Sequence, residues 1–147
     1  MMTAKEFLSQ YSNTATEIET LIEQIQTQRE IAEKITVAFE SDGGASGTRK
    51  TDKIESCVSK IIDLEDEIIK RSGELADIRR DVFRVISEVS DSKLRTLLIM
   101  RYIGGKPFGI IAEAMRNGSG EMYTEHHISH RMHDRALTEV QKILGKS

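Results

Sequence analysis

The residues of this chain that could bind a ligand or a metal are concentrated near its C-terminus, where all four histidines lie within eight residues. His126 and His130 are four residues apart, and His130 and His133 are three apart, so on a helix each pair shares one face. Imidazole pairs of this kind can bind a metal ion. However, no cysteine is nearby, acidic residues are sparse, and a helical period turns His133 inward. We therefore expect no metal and no cofactor.

The same segment predicts a surface suited to DNA. A step of about 100° per residue separates the apolar side of a helix from a polar side. Arginine makes bidentate contacts to guanine, and histidine contacts base edges or phosphates. Thr124 is a good N-cap for a helix. The backbone N–H groups in the first turn of that helix can hold a phosphate. The candidate DNA-contacting residues are Thr124, His127, His130, Arg131, Asp134 and Arg135, with Lys106, Arg116 and Lys142 as candidate backbone contacts.

Three short helices must position this surface. The first is predicted over about 92–103 with Asp91 as its cap, and two glycines end it. The second begins at Pro107, a favoured first helical position, and the third covers about 124–144. The predicted inward-facing residues are Leu94, Leu97, Leu98, Arg101 and Tyr102, then Phe108, Ile111, Ala112 and Met115, then Ile128, Met132, Ala136, Val140 and Ile143 or Leu144.

Two functional classes follow from this arrangement. Three helices with a glycine-containing turn between the last two fit a helix-turn-helix unit, and they fit a generic three-helix bundle equally well. Each charged residue taken alone is typical of a solvated surface. The chain has no Ser/His/Asp pattern on a strand–turn–helix frame, no glycine-rich nucleotide loop and no carboxylate pair in a plausible cleft. We therefore expect a protein that is not an enzyme.

The N-terminal half has a heptad-type apolar period, which predicts two long helices, each packed along one stripe or seam. Thr3 and Glu6 form a capping-box pattern at the start of the first helix. Its predicted seam is Leu8, Tyr11, Ala15, Ile18, Ile22, Ile25, Arg29, Ala32, Thr36 and Phe39. The predicted seam of the second helix is Ile54, Cys57, Ile61, Leu64, Ile68, Arg71, Leu75, Ile78, Val82, Val85 and Val89.

A loop at about 41–51 separates these seams, so we expect an antiparallel coiled-coil hairpin with helices roughly 55 Å long. Cys57 is predicted to be a small buried residue rather than a reactive thiol. Arg29 and Arg71 interrupt the two seams, and two interpretations fit them. Each arginine either lies at the seam edge and extends its guanidinium to solvent, or pairs with an acidic residue of the opposite helix and so fixes the register.

The net charge of −3 argues, at first sight, against a nucleic-acid partner. It averages two unlike halves. Residues 1–89 hold 12 Lys and Arg against 18 Asp and Glu, a net charge of −6, whereas residues 90–147 hold 9 against 6, a net charge of +3. Phosphate contact requires local cations rather than a positive total. The composition therefore excludes only a strongly basic, indiscriminate DNA-binding protein.

The expected compartment is reducing. The single cysteine excludes a disulfide within the chain. The opening residues do not have the pattern of a signal peptide, and no apolar run approaches the roughly 18 residues that span a bilayer. We therefore expect a cytoplasmic protein with no membrane partner.

Three C-terminal motifs are RTLLIMRY at 95–102, IAEAM at 111–115 and RMHDRAL at 131–137. Together they resemble region 4 of bacterial sigma factors, and specifically a family of short phage and prophage proteins of Gram-positive bacteria with a sigma-like helix-turn-helix after a helical N-terminus. Segments 2–8 and 60–65 resemble that family too. The resemblance implies a DNA-binding regulator, such as an activator of late phage genes, that acts with or beside host RNA polymerase.

Two features depart from that family. The eight residues 116–123 replace a tighter turn, and Ser129 stands at an inward position where an apolar residue is common. A longer turn alters the angle of the third helix and hence its reach into a groove.

The leading hypothesis is an all-α phage transcription regulator, with a coiled-coil hairpin over 1–89 and a helix-turn-helix domain over 90–147. It would bind double-stranded DNA with helix 124–144, form a dimer or higher oligomer through the hairpin, and have RNA polymerase as a further partner. The alternative is a non-enzymatic helical adaptor that binds a protein such as RNA polymerase without reading DNA.

Overall fold

The computed structural model describes residues 2–41 and 47–146, with side chains described for 2–38 and 49–146. All regular structure within these ranges is helical, which confirms the predicted all-α class. None of the helices described is both long enough and apolar enough to cross a membrane. The helices are α1 (Ala4–Ser41), α2 (Gly47–Ser87), α3 (Ser92–Leu98), α4 (Phe108–Ala114) and α5 (His133–Gly145), with π-helical segments at Ile99–Ile103 and His127–Met132.

The chain divides into two units, which we name the terminal unit (Met1–Asn13 with Leu75–Ser147) and the middle unit (Thr14–Glu74). The division differs from the predicted boundary at residue 90, because the start of α1 and the end of α2 belong to the core that the C-terminal helices form. The charge asymmetry persists. The terminal unit holds 13 Lys and Arg against 10 Asp and Glu, and the middle unit holds 8 against 14.

In the middle unit, α1 and α2 run antiparallel. Glu17, near the start of α1, lies 3.3 Å from Arg71, whereas the later Arg29 lies 4.0 Å from the earlier Glu65. Both arginines therefore have an acidic partner on the opposite helix, as the second interpretation expects, but Arg29 is also exposed to solvent, as the first interpretation expects. Glu17 is the main cause that raises the pKa of Arg71 above its ordinary value, and a hydrogen bond from Arg71 to Glu67 adds to it.

The two seams differ in how closely they follow the prediction. All eleven predicted positions of α2 are buried or half-buried, and Cys57 is buried as expected. In α1 the predicted residues Ile22, Arg29 and Thr36 are exposed. Their neighbours one residue earlier, Leu21, Gln28 and Ile35, are half-buried instead. The predicted seam and the observed seam share the positions that lie between these residues. The observed seam keeps the charged Arg29 out of the helix interface.

The ends of the long helices also refine the prediction. The capping box is confirmed: the Thr3 N–H donates to Glu6 Oε2 at 3.0 Å, and the Glu6 N–H donates to Thr3 Oγ1 at 3.2 Å. Helix α2 begins at Gly47, so the last five residues of the predicted 41–51 loop are helical. The centre of that loop, 42–46, lies outside the described residues.

In the terminal unit, the three predicted C-terminal helices are present. Asp91 caps α3 by accepting the Lys93 N–H at 2.9 Å. The helix continues through Ile99–Ile103 and ends at Gly105, whose positive φ of 65° favours glycine. The buried apolar core comprises Ala4, Leu8, Val82, Val85, Ile86, Val89, Leu94, Leu97, Leu98, Tyr102, Ile111, Ala112, Met115, Ile128, Met132, Ala136 and Val140.

Two polar contacts connect distant parts of this unit. The Ala4 N–H, at the start of α1, donates to Gln141 Oε1 of α5 at 2.8 Å. Arg95 of α3 donates to the carbonyls of Val89 and Ser90 at 2.7 and 2.9 Å. The first contact satisfies a donor that the helix cannot pair itself, and the second closes the junction between α2 and α3.

Candidate nucleic-acid interface

The helix that carries most of the candidate residues begins after Thr124 and runs without a break to residue 145; we name it the last helix. The Thr124 side chain caps it, because Oγ1 accepts the His127 N–H at 3.1 Å. Its buried side is Ile128, Met132, Ala136 and Val140, as the sequence predicts. The π-helical first part, in which the His133 N–H donates to the Ile128 carbonyl, was not predicted.

The opposite side of the last helix is exposed, and it carries five candidate residues that we name the contact face: His130, Arg131, Asp134, Arg135 and Lys142. Arg135 lies 4.0 Å from Asp91, and Lys142 lies 3.5 Å from Glu139. Both ion pairs are exposed, so solvent weakens them. Arg135 and Lys142 can therefore exchange their carboxylate partners for a more strongly bound anion. Within the described part of the chain, Arg131 has no hydrogen-bond or ion-pair partner. No contact within the described residues therefore has to break before its guanidinium can contact a ligand.

The histidines differ in their surroundings. His127 is half-buried, and its ring stacks on Tyr123 with centroids 5.3 Å apart. His130 stacks on His126 at 4.3 Å, and its Nδ1 lies 2.8 Å from Ser129 Oγ. The structure therefore places His130 on the exposed side and holds His127 against the preceding turn. Among the described residues, no group of three His, Cys, Asp or Glu side chains is placed to hold a metal ion.

The half-burial of Ser129 follows from its inward position. Its hydroxyl is not left without a partner, because it also lies 3.4 Å from the His126 carbonyl, to which it donates. A polar residue is therefore accommodated at a position where the resembled family commonly has an apolar one.

The long turn before the last helix is ordered. Arg116 and Met122 form an isolated antiparallel β-bridge, and the Asn117 N–H donates to the Glu121 carbonyl at 2.8 Å. The Asn117 side chain accepts the N–H groups of Ser119 and Glu121 at 2.8 and 3.1 Å. Residues 116–122 therefore form a small closed hairpin, although the sequence indicates only a turn.

The two remaining candidate cations precede the last helix. Lys106 is exposed between the first and second C-terminal helices, and Arg116 donates to the carbonyls of Glu113 and Met115. Sequence reasoning missed a third cation, Lys93, whose Nζ lies 3.1 Å from the Tyr123 hydroxyl. Lys93 is half-buried in α3, one turn before the core residue Leu97, and a single lysine beside an apolar row gave no signal of a ligand contact.

His133 is buried on the other side of the last helix, as the helical period predicts. Its Nε2 lies 2.6 Å from the Tyr102 hydroxyl, and Phe108 packs edge-on at 5.0 Å. Burial lowers the pKa of His133 below the ordinary value of 6.5, and the positive charges of Arg101 and Lys5 lower it further. Burial also raises the pKa of Tyr102. The pair is therefore neutral near pH 7 and belongs to the core rather than to the contact face.

No protein-family model, curated protein or solved structure matches this chain. The resemblance to sigma region 4 stays a prediction that depends on the three quoted motifs.

Proposed function

We propose that the terminal unit binds double-stranded DNA through the contact face, and that the protein is a cytoplasmic, non-enzymatic transcription regulator of phage type. The observation that carries this proposal is the exposed guanidinium of Arg131, which has no partner among the described residues and lies near the start of a helix anchored by four buried apolar residues on its opposite side. Recognition helices present their N-terminal turns to the major groove. Arg131 and His130 occupy such turns.

The elements around the last helix support this proposal. Helix α4 packs against the π-helical start of the last helix, and α3 packs against α5. A short helix that packs against the start of a longer one also occurs in a helix-turn-helix, although the turn of that motif has three or four residues and the connection here contains the 116–122 hairpin. Lys106, Arg116 and Lys142 supply charges for phosphate contacts, which orient a protein on the duplex without reading its sequence.

The test is a fluorescence-anisotropy titration of the full chain against tiled prophage DNA fragments at two salt concentrations. We expect an affinity that falls steeply with salt, and one fragment that binds more tightly than the others. Arg131→Ala should weaken binding to that fragment by about tenfold or more, since a bidentate base contact contributes about 1–3 kcal/mol of discrimination. It should also reduce the preference for that fragment over the others.

The matched control is Arg84→Ala, which removes the same charge from an exposed side chain of the same unit. It should leave the fragment preference unchanged. Salt-sensitive binding that neither variant alters would contradict the assignment of Arg131, and absence of any salt-sensitive DNA binding would reject the proposed function.

A second candidate function is the adaptor, and two exposed apolar side chains favour it. Ile110 of α4 and Met122 of the hairpin turn are 47% and 58% exposed, although large apolar residues are usually buried. Such residues suit a protein partner such as host RNA polymerase. Under this alternative, Ile110→Ser would abolish binding to the purified polymerase, and Arg131→Ala would not.

A further inference from the structure

A pocket of about 330 Å³ opens in the terminal unit, and none of its lining residues belongs to the candidate DNA-contacting set. Its volume is at the small end of the range for small-molecule sites. Helix α1 contributes Lys5, Ser9 and Ser12 to the lining, and the opposite wall comes from the end of the first C-terminal helix and the start of α4. The pocket therefore lies among segments that are distant in the sequence.

The pocket is positively charged. Lys5 and Arg101 line it, and among the described residues of its lining there is no Asp or Glu. The charges of both cations reach the pocket wall, because both lower the pKa of His133, while Asp134 outside the lining acts in the opposite direction. An anion in the pocket would relieve the repulsion between these two cations and gain attraction from both.

Arg101 is already oriented toward such a role. Its guanidinium lies 4.0 Å above the centre of the Phe108 ring, and its Nη1 donates to the Lys106 carbonyl at 3.2 Å. These contacts hold the planar group in place while leaving further N–H groups for a ligand. Because the orientation does not have to be acquired on binding, little conformational entropy is lost there.

The remaining lining groups match a phosphate ester. Ser9 contributes a hydroxyl group that can donate to a phosphate oxygen, and Phe108 contributes an apolar wall. The other two hydroxyl groups of the lining are already paired, since Ser12 Oγ donates to the Ser9 carbonyl at 3.1 Å and the Tyr102 hydroxyl contacts His133 Nε2. Two cations with one hydroxyl donor suit a tetrahedral oxyanion, for which charge-assisted hydrogen bonds are strong. The apolar ring suits the uncharged part of a small organic molecule.

We propose that this pocket binds the phosphate group of a small phosphomonoester, with Lys5 and Arg101 as its counter-charges, and that inorganic phosphate is a weaker ligand of the same site. The proposal does not depend on DNA binding. Ligand bound here contacts α1, the segment after α3 and α4 at once, so it stabilises the folded terminal unit by mass action.

The test is isothermal titration calorimetry of the full chain with glucose 6-phosphate and, separately, with inorganic phosphate, at an ionic strength held constant with potassium chloride. We expect saturable binding of both, tighter for the ester, and no binding of glucose. Lys5→Ala should weaken both by about tenfold, the loss of one charge-assisted contact. Lys5 is exposed, so this variant should fold normally.

The matched control is Lys53→Ala, which removes one exposed charge from the middle unit and should leave both affinities unchanged. Arg101→Ala, with its melting temperature checked first, should repeat the effect of Lys5→Ala. Equal affinities for the Lys5→Ala and Lys53→Ala variants, or no binding of either phosphate, would overturn the proposal. So would a loss of duplex-DNA affinity in Lys5→Ala without phosphomonoester binding, since the pocket would then be part of the DNA surface.

Discussion

Neighbouring residues of the last helix have opposite environments, and this contrast defines what each can do. Arg131 is exposed, whereas His133 is buried with its Nε2 2.6 Å from the Tyr102 hydroxyl. The buried imidazole is not accessible to a partner at the contact face, and the exposed guanidinium is. A cluster of four histidines in the sequence is therefore not one functional group.

At this scale we predict a pH dependence of stability that comes from His133. Its pKa in the folded protein lies below the ordinary 6.5, so on acidification the unfolded chain takes up a proton before the folded protein does. The stability that His133 contributes is therefore present above about pH 6.5 and falls as the pH drops toward the lowered value. Thermal melts between pH 7.5 and pH 5.5 should show a decreasing melting temperature.

His133→Gln removes the titrating group and keeps a hydrogen-bonding side chain for Tyr102, so its melting temperature should vary less over this range. His126→Gln changes an exposed histidine of the same helix and should retain the wild-type slope. A slope that is the same for His133→Gln and the wild type would assign the pH dependence to other groups.

The helical period alone predicts which side of the last helix His133 occupies, because the buried positions recur every four residues. It does not predict the phosphate pocket. Arg101 appears in the sequence as a charged residue on an apolar face, which indicates a special role for that residue. Lys5 lies 96 positions earlier, so the sequence does not indicate that the two residues meet. Only the packing of α1 against the C-terminal helices brings the two cations to one cavity.

At the scale of elements, the register of α1 is the main difference from the sequence prediction. Two different seams that share half of their positions both follow an alternation of three and four residues. In α1 both of these seams contain apolar residues. In α2 the apolar row is interrupted by Arg71 alone, so its register is unambiguous. The sequence therefore predicts that both segments are helical. It predicts which side packs against the partner helix for α2 alone.

The register leads to a prediction about two α1 residues that both belong to the predicted seam. Leu8 is fully buried in the core of the terminal unit, whereas Ile22 is 53% exposed. Leu8→Ala should lower the free energy of unfolding by about 3 kcal/mol, the sum of lost burial and cavity formation. Ile22→Ala should lower it by less than about 1 kcal/mol.

Urea denaturation followed by circular dichroism measures both changes. If the two variants lost similar stability, Ile22 would face the helix interface and the seam predicted from the sequence would be the correct one.

At the scale of the whole molecule, two units of opposite net charge are built from interleaved parts of one chain. The middle unit also exposes large apolar side chains, namely Ile22, Ile31, Val37, Val58, Ile62 and Ile69. Scattered apolar residues are ordinary on a surface, but Ile62 and Ile69 are one heptad apart on the same side of α2. We therefore keep the hypothesis of self-association through the long helices.

Self-association predicts a molar mass above that of the 16.6 kDa monomer in size-exclusion chromatography with light scattering. Replacing Ile62 and Ile69 by glutamate should shift the protein toward the monomer, because charge on an apolar contact is costly to bury. Ser56→Glu, at an exposed residue about 120° around α2 from Ile62, is the control and should not change the mass. A wild-type chain that elutes as a monomer at all concentrations would contradict self-association.

The hydrogen bond between the Ala4 N–H and Gln141 has a consequence for how the protein is made. It joins residues 137 positions apart, while the ion pairs of the middle unit join residues only 54 and 36 apart. Long sequence separation delays folding, because a large loop must close first. On the ribosome, the middle unit can pair its helices early, whereas Leu8 stays exposed to water, chaperones and proteases until its core partners, which extend to Val140, have been synthesised.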